Sequence, residues 1–112
     1  MNDCLFCRIA ACEIPSKKVY SDDLVYAFQD IAPKAPTHVL VIPRKHIARL
    51  ADAGPEDQEI LGEVVARAAA IARDLKLEHY RLVVNNGEEA GQSVFHIHFH
   101  LLGGRPMAWP PG

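Results

Sequence analysis

Polar and apolar residues alternate most strictly near the end of the chain, through Phe95-His96-Ile97-His98-Phe99-His100-Leu101-Leu102. Alternation at period two predicts a half-buried strand over residues 94–102. Phe95, Ile97, Phe99 and Leu101 would face a core. His96, His98 and His100 would form a row on the opposite face, about 6.6 Å between neighbours and about 13 Å in all. Residues 80–84 predict the strand before it, joined through a glycine-containing turn at 85–92 into a hairpin. Earlier in the chain, residues 19–21 and 24–28 predict two short strands across the polar pair Asp22-Asp23. Residues 38–42 are mostly apolar, predict a central strand, and end at Pro43.

Helical periodicity is sustained once. From Pro55, with Glu56, Asp57 and Glu59 at the positive end of the helix dipole, Ile60, Leu61, Val64, Val65, Ala68, Ile71, Ala72 and Leu75 form a continuous stripe. Gly62 inside that pattern costs about 1 kcal/mol against alanine and is expected to mark close packing on the sheet. A second, short helix over 6–12 places Phe6, Ile9 and Ala10 on one side and stops ahead of Pro15. Strands in sequence, one long helix and few crossovers give an α+β class with an antiparallel sheet of about five strands. At 112 residues the chain is one domain. Its last ten residues, 103–112, lack periodicity, yet Trp109 among them is an aromatic that calls for something to pack on.

Composition narrows the classes. A net charge of −2 and a pI near 6.3 give no basic footprint for general nucleic-acid binding, and the Lys17-Lys18 and Arg44-Lys45 clusters read as solvated surface. No apolar run approaches a membrane span and no secretory leader opens the sequence, so a soluble, cytoplasmic protein is expected. The three cysteines all fall within the first twelve residues, which is not a disulfide framework. Cys4 and Cys7 have the Cys-x-x-Cys spacing of metal or redox chemistry, but the pair does not sit in the βαβ unit of a thioredoxin-like motif. Cys12 reads as a small, partly buried residue.

The histidine row is the strongest chemical signal. One histidine on a strand is more often structural; three in register each need partners for two ring nitrogens, which space-filling alone does not supply. An imidazole can attack phosphorus directly and split one displacement into two easier ones. Near pH 7 much of it is neutral and nucleophilic. His96-Ile97-His98-Phe99-His100-Leu101-Leu102 resembles the His-φ-His-φ-His-φ-φ motif of the histidine triad (HIT) superfamily. Gly91-Gln92-Ser93-Val94 before it, and Gly103-Gly104-Arg105 through Trp109-Pro110-Pro111-Gly112 after it, are similar to the Hint branch, the histidine triad nucleotide-binding proteins. The similarity runs over nearly the whole chain, 1–112, as one HIT domain with 103–112 a tail near the active site.

The resemblance implies a purine nucleoside phosphoramidate hydrolase, acting at the α-phosphorus through a nucleotidyl-histidine on His98. His100 would hydrogen-bond the phosphate or leaving group, and His38 would position or relay protons to His98. The Ser93 hydroxyl and backbone amides around Gly91, Gln92 and Ser93 would bind phosphate oxygens. Asp30 matches the family's ribose-binding acid and Asn85 its residue near the ribose and phosphate, while Phe6, Ile9, Ile14, Phe28 and Ile31 would form the apolar base slot. The N-terminal cysteines depart from many Hint proteins and match bacterial-type members in which two cysteines, a histidine after the third strand and the first histidine of the triad bind zinc. Here that set is Cys4, Cys7, His46 and His96, a closed structural tetrahedron that removes His96 from direct catalysis. The family also implies a homodimer whose tails lie near the opposite nucleotide pocket. Two other activities remain open: a dinucleoside polyphosphate hydrolase of the Fhit kind, disfavoured by the Gly-Gly-Arg and Trp-Pro-Pro-Gly ending, and a nucleotide-binding adaptor with incidental turnover.

Overall fold

A computed structural model describes residues 3–112. In chain order it contains α1 (Leu5–Ala10), β1 (Lys18–Ser21), β2 (Val25–Gln29), β3 (Thr37–Pro43), α2 (Gln58–Asp74), β4 (Tyr80–Val84) and β5 (Phe99–Gly103). The five strands form one antiparallel sheet in the order β1-β2-β3-β5-β4, which puts the apolar strand β3 at its centre.

Because side chains alternate across a pleated sheet, β2, β3 and β5 divide their residues between two layers. Val25, Ala27, Val39, Val41, Phe99 and Leu101 join Val64, Ala68, Ile71 and Ala72 of α2 in the larger core. Tyr26, Phe28, Leu40 and Ile42 face the other way and are covered by Phe6, Ile9 and Ala10 of α1. His38 and His100 lie on this second face, in step with Leu40 and Ile42, so the fold turns its chemistry toward α1 and its long helix away from it.

Three expectations are corrected. The histidine strand is shorter than its alternation: β5 begins at Phe99, and residues 94–98 run outside the ladder. β4 ends at Val84 opposite Phe99, and although β3 runs on to Pro43, its pairing with β5 also stops at Val41 opposite Phe99. The Ile97 amide instead donates to the Ile47 carbonyl at 2.7 Å. Phe95 consequently leaves the core and is 43% exposed. Gly62 meets nothing that a methyl group would touch, so it marks no close packing; the sheet-facing positions of α2 are one residue round, at Val64 and Ala68. The first turn at Pro55–Asp57 is a 3-10 turn ahead of α2, held by the buried Asp57 carboxylate, which accepts from the Gly54 amide and the Lys45 ammonium. Trp109 is 80% exposed, with the Arg81 guanidinium 5.8 Å from its ring centroid.

Candidate active site

Four imidazoles stand along the α1 face, and backbone groups fix the tautomer of three of them. A carbonyl can only accept and an amide N–H can only donate, so each such bond decides which ring nitrogen carries the proton. His98 Nδ1 is 2.8 Å from the His96 carbonyl and must be protonated, which leaves Nε2 with a lone pair. His96 Nε2 is 2.7 Å from the Pro43 carbonyl, so its Nδ1 is the unprotonated nitrogen. The Lys34 amide donates to His38 Nδ1 at 3.0 Å, so His38 carries its proton on Nε2. That proton faces His100 Nδ1 at 2.9 Å and Asp30 Oδ2 at 3.4 Å. Accepting it, neutral His100 presents an Nε2–H donor.

Phe6 closes one side of this group, its ring edge-on to His98 at 5.0 Å between centroids and to Phe28 at 5.4 Å. His98 and His100 are adjacent, with centroids 5.0 Å apart. Burial pushes His100 down to about 4, with the neighbouring His98 and His38 adding to the effect and Asp30 opposing it. Burial lowers His38 as well, against the attraction of Asp30. The free protein therefore holds this pair neutral at pH 7, ready for a negatively charged group whose arrival opposes the effect of burial.

Two constellations of ligand atoms lie within 4.8 Å of one another: Cys4, Cys7, His46 and His96, and Asp30, His38 and His100. In the first, His96 Nδ1 lies 3.3 Å from Cys4 Sγ, 3.4 Å from Cys7 Sγ and 3.2 Å from His46 Nδ1, with Cys7 Sγ 3.5 Å from His46 Nδ1. These residues are close enough to hold a metal ion, and the His96 ring has the tautomer a ligand needs. The second set is poorly suited to one. With the Lys34 amide on Nδ1, a metal on Nε2 would leave His38 with no proton at all.

The residues singled out in the sequence assemble unevenly. Asp30, His38, Asn85 and His100 line one cavity, together with Ala32, Lys34, Val83 and Leu102. Phe6, Ile9 and Phe28 share a buried cluster against which Ile14 packs. Ile31 does not join it and is 99% exposed. Ser93 is exposed and lines a separate opening with Cys4, His46 and Phe95, beside the sulfur cluster.

The expected phosphate-binding amides are mostly engaged. Gly91 N donates to the Glu88 carbonyl and Gln92 N to that of Gly87, a consequence of the 3-10 turn at Glu88–Ala90. The Gln92 side chain is 2% exposed. Its oxygen accepts from the Gly87 amide and its nitrogen donates to the carbonyls of Ala48 and Val94, so it organises the loop and offers nothing to a ligand. The backbone of Lys34 and Pro43, which sets two ring tautomers, carries no side-chain signal by which a sequence could announce it.

The HIT domain family model matches residues 11–107. An uncharacterised HIT-like protein of Synechocystis sp. is 51% identical over 112 residues, covering 99% of this chain and 98% of the relative. Among solved structures, a HIT family hydrolase from Legionella pneumophila Philadelphia 1 superposes with a TM-score of 0.96 at 51% identity, over 98% of this chain and all of that one. A histidine triad nucleotide-binding protein from Candida albicans gives a TM-score of 0.82 at 34% identity, over 96% of this chain and 83% of the other. With a family model matched from the end of α1 into the tail, and half the residues shared with relatives along nearly their whole length, this chain belongs to the HIT family.

Proposed function

We propose that the protein hydrolyses purine nucleoside phosphoramidates, adenosine or guanosine monophosphate joined to an amine, through a nucleotidyl-histidine on His98. The observation that carries this reading is the pairing of two complementary rings 5.0 Å apart. His98 has a lone pair on Nε2 because its Nδ1 proton is held by the His96 carbonyl, and His100 has a donor on Nε2 because its Nδ1 accepts from His38. Nucleophile and proton donor stand side by side on the face beneath Phe6. The hydrolase from Legionella and the nucleotide-binding protein from Candida support the same class of substrate and reaction.

The steps balance with these groups alone. The anionic substrate opposes the burial that keeps His100 low, so the Asp30–His38–His100 group takes up one proton with it. His98 Nε2 forms a bond to the α-phosphorus as the P–N bond breaks, and the departing amine receives that proton from His100 Nε2. Water then attacks the phosphorus, returns a proton to His100 and releases His98 and the nucleotide. Asp30 and Asn85, in the same cavity, accept the ribose hydroxyls.

Zinc fits the Cys4–Cys7–His46–His96 cluster. Zinc–ligand bonds of about 2.0–2.3 Å define a tetrahedron with edges of about 3.3–3.8 Å; four of the six edges here run from 3.2 to 3.5 Å, and all lie within 4.8 Å. Bound there, the ion would crosslink the start of α1 to the segment that carries His98. Reduced thiols of this kind belong to a reducing compartment, which agrees with a cytoplasmic protein. The working form is proposed to be a homodimer, with Trp109 of the tail reaching the other copy's pocket.

The deciding measurement is steady-state turnover of an adenosine phosphoramidate by the purified protein, alongside His98→Ala. Turnover should be lost in the variant while nucleotide binding remains measurable, because the base and ribose contacts lie elsewhere. Activity within about tenfold of the parent would remove His98 from the covalent step, since a lost nucleophile typically costs far more. Binding of the nucleotide without turnover in the parent would favour an adaptor.

A further inference from the structure

The ring that feeds His100 owes its tautomer to one peptide group, and that peptide is held in place from the tail. Lys34 N–H donates to His38 Nδ1 at 3.0 Å. The carbonyl of the same residue accepts two bonds from Arg105, from Nη2 at 2.9 Å and Nε at 3.3 Å. Among the described residues, no other hydrogen bond of Lys34 reaches beyond the 30–37 loop: its ammonium returns to the Ala32 carbonyl, and Asp30 Oδ1 holds the Ala32 amide. Both are contacts within the loop. The guanidinium, by contrast, comes from 71 residues away.

The chain turns to deliver it. Gly104 has φ +93, a conformation that L side chains rarely adopt, and a Cβ there would lie 2.9 Å from Pro36. The backbone therefore passes tightly against the loop just before Arg105 reaches the Lys34 carbonyl. A planar guanidinium with parallel donors fixes the direction of an acceptor as well as its distance, which an ammonium does less well. Arg105 itself is exposed, makes no contact with the four imidazoles, and has no evident part in the core.

We propose that Arg105 is a positioning residue for the reaction: by clamping the Lys34 carbonyl it aims the Lys34 amide at His38 Nδ1, so that His38 keeps its proton on Nε2 and His100 keeps its donor turned toward the leaving group. Without the clamp the loop peptide can rotate, His38 gains access to its other tautomer, and His100 loses the neighbour that makes it present Nε2–H. The charged and titratable groups around His38 are Asp30, the Lys34 side chain and His100; the Asp30 carboxylate, 3.4 Å from Nε2, can only accept and so favours the proton there too, and His100 meets the same nitrogen. The Lys34 amide alone addresses Nδ1.

This inference deepens the reaction proposed above, and its test has one arm that does not depend on that reaction. In substrate-free protein with labelled histidines, long-range proton–nitrogen spectra report which imidazole nitrogen is protonated, and His38→Asn identifies the His38 signals. The parent should show His38 as a pure Nε2–H tautomer, and Arg105→Ala should show a mixture at unchanged thermal stability. With an adenosine phosphoramidate, kcat of Arg105→Ala should fall about tenfold, a part of what general acid catalysis contributes, while KM stays near the parent value. Arg105→Lys, which retains one donor, should recover kcat to within about threefold. A His38 that remains purely Nε2–H in Arg105→Ala overturns the proposal, as does a loss that appears in KM alone. Should the parent fail to turn over the phosphoramidate, the reaction above is wrong and the spectra still decide the role of Arg105.

Discussion

His38, His96 and His98 each give one ring nitrogen to a backbone group, and His38 passes the constraint on to His100. The arrangement explains how a row of like residues acquires distinct roles without distinct side chains. It also has a consequence for pH. An unfolded histidine takes up a proton near 6.5, whereas folded His100 does so only near 4, because burial disfavours its charge. Between those values the unfolded chain binds more protons, so stability is full above about pH 6.5 and declines as the pH falls toward 4. His38 is lowered too and acts in the same direction. Urea midpoints measured across pH 4 to 7 should therefore rise with pH, and His100→Asn should flatten the rise. A slope unchanged in that variant would place the linkage elsewhere. The three histidines were plain in the sequence; which ring nitrogen carries the proton was not, since Lys34, Pro43 and His96 act through main-chain atoms. Gln92 shows the opposite failure, a conspicuous side chain in a motif position that is wholly engaged in holding its own loop.

At the scale of elements, α1 is the dependent piece. Six residues are too few for a stable isolated helix, so both ends need support. Its C-terminal end is tied by Arg44, which donates to the carbonyls of Ala10 and Asp22 and to Ser21 Oγ, and lies over the Tyr26 ring. Its N-terminal end starts at Cys4 and carries Cys7 into the cluster with His46 and His96. Protein purified without added zinc should contain about one equivalent of metal, as one Cys2His2 set implies. Cys4→Ser combined with Cys7→Ser should lose it, and backbone amides of α1 should then exchange with solvent faster than those of α2. Full metal retention in the double variant would show that the ligands lie elsewhere. The apolar pattern located β2, β3 and β4 to within two residues. It overran at 94–98, where Ile97 chooses Ile47 as its partner; alternation records which side chains are apolar and carries no information about which backbone they meet.

The whole molecule leaves apolar surface uncovered on the long helix and in the tail. Val65 of α2 is 44% exposed beside the open Gly62 and the small Ala66, a shallow face away from the sheet. Trp109 is exposed at the end of a tail that Arg81 holds by its Ala108 carbonyl. The sequence led to the expectation that the tryptophan packs on a surface; in the single chain it stays exposed beside Arg81. Light scattering should give about twice the chain mass of 12.4 kDa, and deleting residues 109–112 should change selectivity among phosphoramidate amines more than it changes stability. A fully active monomer, or a truncated protein with the parent's selectivity, would leave Trp109 without a partner role.

His96 belongs to two structures at once. Its ring points Nδ1 into the sulfur cluster, and its carbonyl holds the proton that orients His98. Fold maintenance and reactivity are therefore not separable inheritances at this position. A descendant that discarded the two thiols would need some other anchor for the His96 ring before its neighbour two residues on could keep its aim. A descendant that tightened the cluster would stiffen the His98 imidazole along with it. Selection on durability and selection on turnover meet in one peptide unit, and each constrains how far the other can move.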